Sequence, residues 1–143
     1  MIKLAMYKGK GMLGNAIVRA WTRSPYSHCE LIDTDIGRYM SSSMMDGGVR
    51  AKAMELKPWH WDVIDLPWAD ADAVLRHYAA TKGQGYSWVD LLRNQMLNRP
   101  FDQRDRSFCS EWCAAALGLP NPGMYSPRGL MELCVYLNGI RRA

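Results

Sequence analysis

The chain has no apolar run approaching the roughly 18–20 residues of a membrane span. Lys3, Lys8 and Lys10 interrupt its first apolar stretch, so neither a transmembrane helix nor an export signal is expected. There is no block of like charge either. The formal +4 is spread over scattered Lys and Arg residues, which fits a solvated basic face and excludes the basic stripe of a nucleic-acid binder. Repeats and low-complexity tracts are absent, and with them solenoid and disordered-arm architectures. Histidine is scarce: three residues limit any imidazole chemistry to His28, His60 or His77. Cysteine is sparse as well. Four cysteines in 143 residues, two of them one helical turn apart, do not form the framework of a small disulfide-stapled domain. They read as reduced thiols, consistent with cytoplasmic synthesis.

What is present suits one folded domain over residues 1–143. Apolar residues make up 48% of the chain and charged residues 22%, enough to build a core without staples. Residues 2–7 read as a strand. Ile17, Val18 and Trp21 put a helix over 14–23, which Pro25 ends. Residues 28–32 alternate as a strand, 33–37 supply turn residues, and 38–45 return as an antiparallel partner ahead of Asp46–Gly47–Gly48. A weaker strand follows over 49–56 and a strong one over 61–66, stopped by Pro67. Helices are expected over 69–82, 86–97, 107–117 and 128–137, with polar loops at 98–105 and 121–127. Strands followed by helices make the fold class α+β with an antiparallel sheet.

Two segments carry the chemistry. In RSFCSEWCAAALGL (106–119), Phe108, Trp112 and Ala116 recur at helical spacing, Ser107 is a plausible N-cap, and Gly118 and Pro120 end the helix. Cys109 falls in its first turn, where unpaired N–H groups and the helix dipole favour a thiolate. The same N–H groups suit an oxyanion. Cys29, Cys113 and Cys134 read as small buried hydrophobes. In SPYSHCELI (24–32), His28 opens a strand and shares its face with Glu30. A thiol and an imidazole so placed are the minimum parts of a nucleophile–base pair. His60 and His77 lack such context and read as structural or surface residues.

The base needs a partner on its second ring nitrogen. Glu30 is one candidate. A hairpin pairing Asp33 with Arg38 sets Ser43 opposite His28 and Ser41 opposite Glu30, so Ser43 is the alternative; a slip of one residue changes the assignment.

These segments, with the DGGVR turn (46–50), WDVIDLP (61–67), GQGYSW (83–88) and YSPRGL (125–130), resemble the circularly permuted NlpC-type papain-fold hydrolases of the YiiX-like branch. There the strand histidine precedes the helix cysteine. The resemblance implies a papain-like fold, with an antiparallel sheet packed on a central cysteine-bearing helix and flanking helices. It assigns Cys109 as nucleophile, His28 as general base, and Glu30 or a serine of 41–43 as the polar third member. It also implies a phage or prophage setting, in which the protein is virion-associated, tail proteins are partners, and peptidoglycan stem peptides are the substrate. The chain departs from the pattern in three ways. Met6–Tyr7–Lys8 stands where an acidic residue is often found, Cys29 replaces a bulky apolar residue, and no wall-binding domain accompanies the catalytic one.

The expected activity is hydrolysis of an amide or ester bond, with no cofactor and no metal. The rival substrates are lipid or small-molecule amides, since related permuted enzymes include acyltransferases. A non-catalytic virion or assembly component is the reading from another class; it would work through contacts around Trp59, Trp61 and Trp68. A zinc site built on His28, Cys29, Glu30, Cys109 and Cys113 fails on spacing. The two helix cysteines are four apart, no Pro precedes Cys109, and the H-x-E lies on a strand.

Overall fold

Ile2, Leu4 and Met6 alternate with Lys3, Ala5 and Tyr7, a period of two that commits the segment to a strand with one strongly apolar face. The computed structural model of the protein describes residues 1–9, 24–43, 45–84 and 108–140. In it this segment is β1 (Ile2–Tyr7). The strands that follow are β2 (His28–Asp33), β3 (Arg38–Ser43), β4 (Gly48–Lys52) and β5 (Trp61–Leu66). They form one sheet in the order β4-β3-β2-β1-β5, and every neighbouring pair is antiparallel. Three helices complete the described residues: α1 (Ala71–Thr81), α2 (Phe108–Ala116) and α3 (Pro127–Ile140). The architecture is therefore α+β, as the element order predicts. No described helix is long and apolar enough to cross a membrane. The helices expected over 14–23 and 86–97, the loop at 98–105 and the Ser107 cap lie outside the described residues.

Several boundaries differ from expectation for local reasons. β4 stops at Lys52, not at 56, because its partner β3 begins at Arg38 and Lys52 already pairs with Tyr39. α1 starts at Ala71 because Asp70 caps it, its Oδ1 accepting the N–H groups of Asp72 at 2.9 Å and Ala73 at 3.2 Å. α3 runs on to Ile140 because Asn138 anchors its last turn. That side chain accepts from Trp68 Nε1 and donates to the Asp65 carbonyl, both at 2.8 Å. The expected loop 121–127 contains a short 3-10 turn, Pro122–Met124.

The core lies between one sheet face and the helices. Ile2, Leu4, Met6, Leu31, Met40 and Leu66 meet Val74, Trp112, Cys113, Leu130 and Cys134. Each fully buried aliphatic side chain contributes about 1.5–3 kcal/mol. α2 is central, packing on β2 and β3 and against α1 and α3. Two hydrogen bonds fix its position. Ser110 Oγ donates to the Tyr125 carbonyl at 2.6 Å, and Trp112 Nε1 donates to Thr81 Oγ1 of α1 at 2.9 Å. The helix that bears Cys109 is thus tied on two sides, through Ser110 and Trp112, to the structure around it.

Candidate active site

Cys109 is the second residue of α2 and is 8% exposed. Its N–H lies in the first turn, where no intrahelical acceptor reaches it. The thiol meets β2 at the start of that strand, beside both His28 and Cys29. Alternation would send these neighbours to opposite faces, so contact with both places Cys109 at the strand's first residues.

His28 and Glu30 leave the same face of β2, and His28 Nε2 lies 3.1 Å from Glu30 Oε1. With Nε2 on the carboxylate, Nδ1 is the nitrogen left for the thiol. Glu30 is almost fully buried and is held from β4 by Arg50. The guanidinium donates to Oε1 at 2.7 Å and to Oε2 at 3.0 Å, a bidentate fork. Arg50 in turn donates from Nε to Asp46 Oδ2 at 2.7 Å, and Lys52 Nζ reaches the same oxygen at 2.9 Å.

The electrostatics follow from these contacts. The hydrogen bond from the Cys29 thiol holds the Cys109 thiol well below its ordinary value; burial opposes this, and the charge and hydrogen bond of His28 reinforce it, as does the Cys29 backbone. Burial works against a charged His28, but the Cys109 thiolate and Glu30 outweigh it and push the imidazole up to about 10. Burial also works against a charged Glu30, and hydrogen bonds from His28 and Arg50 with their positive charges still hold its carboxyl below the usual range. Burial chiefly, with the neighbouring Cys109 and Cys113, drives the Cys29 thiol well above its ordinary value. Cys29 therefore stays protonated and can donate. These shifts all act to favour a thiolate–imidazolium pair backed by a carboxylate.

The structure brings Cys109, His28 and Glu30 together, and no hydrogen bond joins Ser43 to His28 among the described residues. The β2–β3 ladder has the expected register, Asp33 opposite Arg38, but its paired residues end at Leu31 and Met40. Ser41 spends its hydroxyl on the Cys29 carbonyl at 2.8 Å, and Ser43 Oγ accepts the Asp46 N–H at 3.4 Å. Glu30, not Ser43, stands at the imidazole.

His60 and His77 lie away from the thiol. His77 packs on Trp112 at 5.3 Å, and His60 packs between Trp59 and Tyr7. An aromatic row runs from Trp59 through His60, Tyr7 and Trp61 to His28. The expected exposed tryptophan patch is smaller than the sequence suggests. Trp59 is 69% exposed, whereas Trp61 and Trp68 are half-buried, Trp68 because its indole N–H is bonded to Asn138. All four cysteines are free and buried. Cys29 Sγ lies 3.8 Å from Cys113 Sγ, but no three His, Cys, Asp or Glu side chains among the described residues are grouped to hold a metal.

Two features escape a reading of the sequence alone. Arg50 reaches Glu30 from two strands away, across Ser41, which pairs with Arg50 in the β3–β4 ladder; the only sequence trace is a basic residue closing the DGGVR turn. The contact of Cys29 with Cys109 depends on the depth at which α2 packs, which no local pattern encodes. Comparison with known proteins adds no assignment: no family model, no curated protein and no solved structure matches the chain.

Proposed function

We propose that this chain is a cysteine hydrolase of the circularly permuted NlpC-type papain fold, cleaving an amide bond through Cys109, His28 and Glu30. The observation that carries the proposal is the hydrogen bond between His28 and the buried Glu30 carboxylate, with the Cys109 thiol beside the imidazole. The Cys109 thiolate attacks the carbonyl carbon and forms a carbon–sulfur bond. The oxyanion is met at the N-terminus of α2, where the Cys109 N–H is available. His28 gives its proton to the departing amine as the carbon–nitrogen bond breaks. Neutral His28 then takes a proton from water, the hydroxide attacks the thioester, and thiolate and acid are released. Glu30 accepts the Nε2–H throughout, which keeps Nδ1 directed at the sulfur and stabilises the imidazolium.

Peptidoglycan stem peptides are the proposed substrate, on the strength of the resemblance to phage-type members of that family. Incubation with purified muropeptides, read by mass spectrometry, tests both levels. Wild type is expected to release cleaved stems and Cys109→Ala to release none. Full cleavage by Cys109→Ala would sink the mechanism. Cleavage of lipid or small-molecule amides in place of muropeptides would keep the mechanism and replace the substrate.

A further inference from the structure

The charged groups around His28 form one unbranched series of alternating sign. Lys52 contacts Asp46, Asp46 contacts Arg50, Arg50 grips Glu30, and Glu30 accepts from His28, with separations of 2.9, 2.7, 2.7 and 3.1 Å. Cys109 ends the series. Every internal member lies between two of opposite sign, and the members come from β2, β4, α2 and the turn between β3 and β4. That turn holds Gly47 at φ 78° and Gly48 at φ 138°, values that suit glycine and few other residues. Its geometry places Asp46 on the guanidinium of Arg50.

We infer that Arg50 is a positioning residue for His28, acting through Glu30, and that Asp46 holds Arg50 in that role. The inference rests on the proposed nucleophile–base pair and assigns what keeps that pair aligned. A carboxylate as buried as Glu30 takes up a proton unless a counter-charge is at hand. Protonated Glu30 could donate to the imidazole instead of accepting from it, and His28 would then lose the acceptor that fixes its tautomer. The fork of Arg50 prevents this in two ways. It supplies the positive charge, and by engaging both oxygens it fixes the carboxylate plane so that Oε1 keeps a lone pair on His28 Nε2. Stability alone is a poor reason for such a pair, since a buried ion pair often does no better than apolar side chains of equal volume. The titratable groups facing Glu30 and His28 are Arg50 from β4 and Cys109 from α2, so a change at Arg50 is read at the thiol.

The test is a double-mutant cycle on Cys109 alkylation by iodoacetamide at pH 6, with the labelled cysteine identified by peptide mass spectrometry and folding checked by circular dichroism. Arg50→Met is expected to slow Cys109 alkylation about tenfold, equivalent to one pH unit in thiolate titration. Arg50→Lys should recover most of that loss. In a Glu30→Gln background, Arg50→Met should add nothing, because the group it acts through is gone. Equal effects of Arg50→Met in both backgrounds, or none in wild type while Cys109 still reacts faster than the other cysteines, would overturn the inference. If wild-type Cys109 shows no such preference, the proposed nucleophile–base pair fails instead. Should Arg50→Met not fold, the same cycle with Arg50→Lys, expected to slow alkylation about threefold on the same scale, decides between these outcomes.

Discussion

His28 and Glu30 stand two residues apart on one strand, and their side chains meet at 3.1 Å between Nε2 and Oε1. The alternation of a β-strand makes the pairing local, because residues i and i+2 leave the same face. The proposed base and its orienting group are thus set by three consecutive residues. The proposed nucleophile comes from a helix about 80 residues later, within an α+β fold whose topology packs that helix on the strand.

Glu30→Gln keeps the shape of the third member and removes its charge. The amide can still accept from His28 Nε2, but it stabilises the imidazolium less and leaves Arg50 with Asp46 as its remaining counter-charge. Turnover of a cleaved substrate is expected to fall by about 10²-fold, the lower end of what acid–base catalysis supplies. The loss should fall on kcat more than on KM. Unchanged kcat would remove Glu30 from the mechanism.

The same substitution predicts a change in acid stability. The Glu30 carboxyl is held below its unfolded value of 4.5 by His28 and Arg50. Its contribution to stability is therefore complete above about 4.5 and is lost as pH falls through the lower, folded value. This contribution makes urea unfolding midpoints decline as pH falls below about 4.5. Glu30→Gln should show lower stability at neutral pH and a shallower acid decline. Some decline should remain, because Lys52 and Arg50 hold the Asp46 carboxyl well below its usual range as well, against the opposing effect of burial.

Cys29→Ala removes the neighbouring thiol whose hydrogen bonding is the largest influence holding the Cys109 thiol low. A hydrogen bond to a charged group contributes about 1.5–3 kcal/mol, so thiolate formation at Cys109 should need a pH about one unit higher or more. Alkylation rate against pH measures this directly. An unchanged profile would show that His28 alone sets the thiolate.

The upper pH limit of catalysis should belong to the imidazolium. His28 is pushed up to about 10, and protonation of the leaving amine is lost as pH rises through that region. Activity should stay level through neutral pH and fall only on approaching about 10, with the apparent value belonging to the coupled pair. Activity that rises through about 8.5, the ordinary thiol value, would mean an unperturbed cysteine.

How much of this was legible in the sequence depended on distance along the chain. The five strands and the cysteine-bearing helix follow from periodicity, caps and turn residues, all local signals. Cys109 at a helix start and His28 sharing a face with Glu30 are local too. The choice between Glu30 and Ser43 was not, since both are compatible with the register fixed by Asp33 and Arg38. The structure favours Glu30 because its carboxylate is the group bonded to the imidazole, while Ser41 bonds the Cys29 carbonyl and Ser43 accepts the Asp46 N–H. Arg50 is further removed, because its reach to Glu30 requires the turn through Gly47 and Gly48 and the whole β3–β4 register. The extra residues of α3 depend on Asn138 meeting Trp68, 70 positions away in the chain.

The thiolate–imidazolium pair itself is tested most directly by ultraviolet absorbance of the thiolate, titrated against pH in wild type, Cys109→Ala and His28→Ala. Wild type should show one thiolate well below about 8.5, the unperturbed thiol value. That step should be missing in Cys109→Ala and moved up toward the ordinary value in His28→Ala. A wild-type protein in which no thiol ionises below the ordinary range, or in which His28→Ala leaves the low step where it is, would contradict the pairing of Cys109 with His28.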